Sequence, residues 1–386
     1  MQPRYSPFVL TVICFFAFFL FGITDNLKGP TLPSVIKELD IQYREGGNIL
    51  FGEYVGFLIA TLATGILADK YGLKLVIVLA GILLAIGVGG YSSLGTVFGL
   101  SASLFIVGLG LGAFELGPNA VIVNLYHEQK GLYLNLMAVM HGLGSMLAPL
   151  FASFLFSLGS DWREVFRWDL LLIVIFVLFS LSSRFPRAAE RSSLDFRSIP
   201  RIAFDRRMSF FYAAMMFYVA SEIGLASWMV VYLQDVRDMN GNASNSYLAL
   251  FFGLLMMGRF LGSLVVKKLG YLRSILISSL LAVLCTLFGI YSPYVFFLPL
   301  TGFFFSIIFP TITAAVSDER TENINTILGV LFTFSGLGGV IGPWLTGWVG
   351  DIYGLQAGMG VILILSALTL FFIVILNKRN WNEQRH

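Results

Sequence analysis

Apolar residues run along this chain in blocks of roughly twenty, the length an α-helix needs to cross about 30 Å of hydrocarbon, and the charged residues collect between the blocks. Runs near 8–33, 49–68, 75–92, 97–116, 132–158 and 170–181 predict six membrane spans. Runs near 208–233, 247–266, 275–291, 295–316, 326–349 and 359–376 predict six more. No alternation of apolar and polar positions over ten residues suggests a membrane barrel, so the expected fold is an all-α bundle of twelve transmembrane helices. The expected organisation is a six-helix half over 1–183, a linker over 184–207 and a second six-helix half over 208–386. The first run carries no small-residue cleavage site and is read as a retained span rather than a signal peptide.

Composition agrees with this pattern. The 386 residues are 57% hydrophobic and 12% charged, with a mean hydropathy of +0.83, far more apolar surface than one soluble core could bury. Segment 184–207 holds seven Arg against Glu190, Asp195 and Asp205. Placing it in the cytoplasm puts 18 of the 25 Lys and Arg on the inner side, leaves Lys37, Arg44, Arg163, Arg167 and Arg237 outside, and leaves Lys28 and Arg259 within spans. The positive-inside bias then predicts a cytoplasmic (inner) membrane protein with both termini in the cytoplasm. The net charge of +3 comes from these loops and gives no sign of a nucleic-acid partner. Cys14 and Cys285 lie far apart within apolar runs, and His127, His141 and His386 make no HExxH pair. No metal site, disulfide framework, hydrolase motif or cofactor is expected. The run Gly108–Gly112 lies within a span with no preceding strand, and reads as helix-packing glycine rather than a nucleotide loop.

The two halves repeat. Lys70-Tyr71-Gly72 recurs as Lys268-Leu269-Gly270 at an offset of 198. Gly142-Leu143-Gly144 with Pro149 recurs as Gly336-Leu337-Gly338 with Pro343 at 194, and Pro118 is matched with Pro310 at 192. Parallel repeats of this kind place a substrate site near the midplane between halves and permit rocking alternating access.

The segment from Gly65 through Ala68-Asp69-Lys70-Tyr71-Gly72 to Lys74 resembles the loop signature of the major facilitator superfamily, G-x-x-x-D-[RK]-x-G-x-[RK]. Gly65 and Gly72 suit a close helix approach and a tight turn, and Asp69 and Lys70 are expected at the inner gate. Ionisable residues at membrane depth point to function because a charge there must face the bundle interior or water. Asp25 and Lys28 lie in span one, Glu115 in span four, His141 in span five, Glu222 in span seven and Arg259 in span eight. Asp25 plus about 197 falls on Glu222, which makes the two pseudo-symmetric carboxylates. The alternative for Asp25 is an intrahelical pair with Lys28. Arg259 reads as a structural or gating charge, and His141 as a hydrogen-bonded helix residue. The resemblance implies that spans one, four and seven line a central cavity.

Several patches are similar to the fucose permease-like sugar:proton symporters: Asn26-Leu27 with Leu32-Pro33, Glu115-x-x-x-Asn119, Ser306-Ile307-Ile308-Phe309-Pro310-Thr311, and Tyr218, Glu222, Trp228 and Tyr232 with Gly258-Arg259. In this alignment the family's first-span coupling carboxylate falls on Gly29, with Asp25 one turn earlier. Charge at membrane depth and this resemblance together mark Asp25, Asn26, Lys28, Glu115, Asn119, His141, Tyr218, Glu222 and Trp228 as candidates for substrate binding or coupling. Carboxylates and amides for hydroxyls, with aromatic faces for the ring, suit a sugar. The expected protein is a monomeric secondary transporter of a monosaccharide or similar small polar solute, coupled to protons, with sodium as the other ion. The rival reading is a proton-coupled exporter or flippase of a lipid or drug-like amphiphile. An enzyme is not expected.

Overall fold

The computed structural model describes residues 6–126, 128–185, 206–319 and 324–383, with the side chains of Asp69, Ser263, 324–326 and 379–383 outside that set. Most of the basic linker expected at 184–207 also lies outside it. Twelve helices among the described residues are long and apolar enough to cross a membrane. Spans one to six are Pro7–Leu39, Tyr43–Ala68, Leu73–Tyr91, Val97–Leu125, Lys130–Ser157 and Trp162–Ser182. Spans seven to twelve are Arg206–Asp235, Gly241–Leu269, Tyr271–Tyr291, Phe297–Glu319, Ile327–Tyr353 and Leu355–Lys378.

Span six starts eight residues before its apolar run. Asp161 caps it, accepting a hydrogen bond from Glu164 N at 2.8 Å, so the polar turn Trp162-Arg163-Glu164 is already helical. Span one runs past Pro33, which sits inside Lys28–Leu39.

Two spans are interrupted. Span one consists of helix Pro7–Asn26 and helix Lys28–Leu39 with Leu27 between them. Pro30 has no N–H, so the Asn26 carbonyl four residues back loses its α-helical donor, and Gly29 adds backbone freedom at the same place. Span ten consists of Phe297–Phe305 and Ile308–Glu319, and Pro310 stands in the same relation to the Ser306 carbonyl. Thr follows Pro in both, as Thr31 and Thr311.

The chain forms two compact units, Met1–Ser192 with Asn240–Ala249, and Ser193–Met239 with Leu250–His386. Within each unit glycines set the helix register. A Cβ on Gly144 of span five would fall on the Phe19 carbonyl and 3.0 Å from Ile23 N, both of span one. A Cβ on Gly338 of span eleven would fall on the Met216 carbonyl and 3.0 Å from Ala220 N, both of span seven. Phe19 and Met216 are 197 residues apart, as are Ile23 and Ala220. In the other glycine contact, Gly108 abuts the Glu53 carbonyl and Gly302 abuts the Phe251 carbonyl. Small residues let backbones touch, and the same contact recurs in both units.

This packing register aligns Asp25 with Glu222, Glu53 with Phe251, the Leu27 break with Gly224, and Ser306 with Gly112. Gly224 and Gly112 lie within uninterrupted helices, Arg206–Asp235 and Val97–Leu125. Pro118 and Pro310, matched at 192 on sequence, are two residues out of the register of 194, and Pro118 sits inside an unbroken helix. At the loop signature, Gly72 takes φ +88° and its repeat Gly270 φ +79°, a left-handed turn open to glycine. Gly65 has no described atom within 4 Å of its would-be Cβ, so the close approach expected there is not seen among the described residues.

Candidate functional site

The break in span one gathers a buried charge cluster. Lys28, the first residue after Leu27, has its ammonium 2.9 Å from Asp25 Oδ1 and in contact with the Glu53 carboxylate of span two. The side chains of Lys28 and Glu53 are only 4% and 1% exposed and that of Asp25 20%. The Lys28 Nζ also lies 4.8 Å from the centroid of the Tyr54 ring, a cation–π contact. The intrahelical Asp25–Lys28 pair is therefore present, but Glu53 from another helix joins it. One ammonium faces two carboxyl groups where water is largely excluded.

Around this cluster, Asn26 Nδ2 donates to the Gly22 carbonyl at 2.9 Å and to Ser145 Oγ at 3.0 Å, tying span one to span five. Ser145 Oγ in turn donates to the His141 carbonyl at 2.9 Å. The His141 ring is half-buried, edge-on to Phe21 at 4.8 Å, and within electrostatic reach of Asp25. Next to Asp25, Thr24 donates to Asp169 Oδ2 of span six at 2.9 Å. Asp169 is fully buried. Glu115 and Asn119 share one face of span four, both half-buried, with Asn119 Nδ2 donating to the Glu115 carbonyl at 2.6 Å.

In the other unit, Tyr218 of span seven is fully buried and lies in the field of both Glu222, one turn on, and Arg259 of span eight. Its ring stands edge-on to Phe305 at 5.6 Å, the last residue before the break in span ten. Gly258 packs against that same break, its would-be Cβ 2.6 Å from the Phe303 carbonyl. Tyr218 of span seven and Gly258 of span eight thus both pack at the break in span ten. Trp228, further along span seven, is wholly buried, with its indole N–H donated to the Pro343 carbonyl of span eleven at 2.8 Å.

Of the residues expected at the inner gate, Lys70 is exposed with its ammonium 5.0 Å from the Tyr71 ring centroid, and the Asp69 side chain lies outside the described residues. Sequence reasoning missed Glu53 and Asp169. Both carry the signal used for the others, a carboxylate at span depth. Glu53 stands five residues into the run at 49–68, and Asp169 stands just ahead of a run delimited too short.

Twelve spans in two units that repeat each other's helix contacts define an integral, multi-pass membrane protein of the duplicated-half type. The family model described as Major Facilitator Superfamily matches residues 14–343, and the chain belongs to that superfamily. Its members are membrane transporters. The chain is 22% identical over 397 residues to a glucose/galactose transporter of Brucella abortus, covering 98% of this chain and 96% of the relative. It is 22% identical over 377 residues to the L-fucose-proton symporter of Escherichia coli, covering 87% and 86%. Among solved structures, the nucleoside transporter NupG superposes with a TM-score of 0.77 at 16% identity, covering 96% of this chain and 99% of that one.

Proposed function

We propose that this chain imports a monosaccharide or similarly small polyol together with protons, by alternating access, across a cytoplasmic membrane with both termini inside. The observation that carries the reading is that relatives named as sugar transporters align along nearly its whole length. Two features support it. The pseudo-symmetric carboxylates Asp25 and Glu222 fall in one packing register; Asp25 pairs with Lys28, while Glu222 and Arg259 both act on the buried Tyr218. Glu115 and Asn119 add a carboxylate and an amide on one face, the donor and acceptor mix that sugar hydroxyls require.

Purified protein in liposomes tests this with labelled glucose, galactose, fucose and a nucleoside, under an imposed pH gradient or an imposed sodium gradient. Concentration of a sugar under the pH gradient alone is the expected result. Accumulation driven only by sodium would replace the coupling ion, and accumulation of the nucleoside alone would replace the substrate class. Failure of every solute, with movement of a labelled lipid or amphiphile instead, would transfer the protein to the exporter or flippase reading.

A further inference from the structure

We propose that Asp25, Lys28 and Glu53 form a single-proton site at the break in span one, with the proton held between the two carboxyl groups and the ammonium fixing its place. This rests on the proton-coupled reading above and moves the coupling proton to a residue of span two, leaving Glu222 for the solute.

The case begins with charge. An ammonium and two ionised carboxylates leave one uncompensated negative charge, and Lys28 and Glu53 are almost completely shielded from water. A lone buried charge is expelled or neutralised. One proton brings the cluster to neutrality and a second would make it positive, so its capacity is one. Geometry agrees. The Lys28 ammonium touches both carboxyl groups, which holds Asp25 and Glu53 side by side around one cation, where two ionised carboxylates repel each other. Apart from the Lys28 ion pair, neither Glu53 oxygen receives a hydrogen bond from a described donor. A proton on one carboxyl supplies the missing donor.

Among the described residues, the charged and titratable groups shown around the cluster are Tyr54 under the ammonium, Tyr91 of span three, which also lies in the field of Arg163, His141 on the Asp25 side, and Asp169 bonded to Thr24. None of them is a second fixed cation in contact with Glu53. The step itself breaks and forms only O–H bonds. Release leaves a negative charge that must be hydrated, so the proton leaves only when water reaches this depth, on whichever side the protein has opened. Because the site straddles Leu27, its charge also acts on the joint between two half-helices.

Infrared spectroscopy of the purified full chain reads a protonated carboxyl directly, through the acid C=O stretch. Spectra of wild type and variants are taken at one pH, about 8, in one detergent. Subtracting variant from wild type removes the contribution of Asp169. The expected result is loss of one carboxyl band in Asp25→Asn and in Glu53→Gln, and gain of one in Lys28→Met, whose two carboxyls must both be neutral. An unchanged acid band in Asp25→Asn and Glu53→Gln, in samples eluting as wild type, would overturn the proposal. Uptake separates the two claims. If the band behaves as expected but wild-type liposomes concentrate no sugar under a pH gradient, the proton site stands and the symport reading falls. If sugar is concentrated by wild type and equally by Glu53→Gln, symport stands and the site is overturned.

Discussion

The glycine register makes a prediction that separates backbone contact from helix propensity. At Gly144 an added Cβ meets the Phe19 carbonyl and Ile23 N, backbone atoms that cannot swing aside, so spans one and five must move apart by roughly the overlap. Overpacking of this kind costs about 1–3 kcal/mol, while Gly→Ala in a helix interior recovers about 1 kcal/mol of propensity. The net for Gly144→Ala is a loss of about 1 kcal/mol, which for a unit of this size lowers Tm by about 2–4 °C. Gly338→Ala should lose the same amount, since its Cβ meets Met216 and Ala220 in the same way. The double variant should show the sum, because the two sites share no partner. Gly65→Ala is the control. No described atom lies within 4 Å of its would-be Cβ, so propensity is expected to act alone and Tm should rise by about 2–4 °C. Thermal unfolding followed by tryptophan fluorescence in one detergent measures all four proteins. A fall at Gly144 with no change at Gly338, or the same sign at Gly144 and Gly65, would refute the register and with it the alignment of Asp25 with Glu222.

Trp228→Phe keeps an aromatic side chain but is smaller and lacks the N–H donated to the Pro343 carbonyl, which together should cost about 1–3 kcal/mol of stability in the same melt. Asn119→Ala should weaken sugar binding about tenfold to a hundredfold, as expected for about 1–3 kcal/mol from one polar contact in a desolvated site, and isothermal titration with the transported sugar decides it. Ser198→Cys, in the basic linker, should react with an impermeant thiol reagent only after cells are opened; labelling of intact cells would invert the proposed topology.

Much of the fold was legible because a span declares itself by length and hydropathy, and the repeats declare themselves by glycine and proline. The break in span one was harder to read. Gly29-Pro30 fell inside one continuous apolar run read from 8 to 33, and hydropathy does not register a lost backbone hydrogen bond. The Pro118 and Pro310 match misled for a related reason: proline marks a position where a helix loses a bond, but neighbouring packing decides whether it parts. It parts before Pro310 and not before Pro118. The site was legible residue by residue and not as a constellation. Asp25 and Lys28 were visible as neighbours three apart, whereas Glu53 reaches them only because Gly108, Gly56 and Gly52 bring spans two and four into backbone contact and fix the face that span two presents.

The two breaks fall in spans that are not copies of each other. Span one parts at Leu27 while its counterpart, span seven, runs whole through Gly224; span ten parts at Ser306 while its counterpart, span four, runs whole through Gly112. The charge cluster follows the same divergence, with Glu53 replaced by Phe251 at the matching place. After duplication, then, the contacts between helices were inherited and the joints were reassigned. A substitution transplanted from one half to its mate should carry over faithfully at a packing glycine and fail at a joint, so a chimera with two identical halves would fold on its repeated contacts yet lack one of its two kinds of hinge.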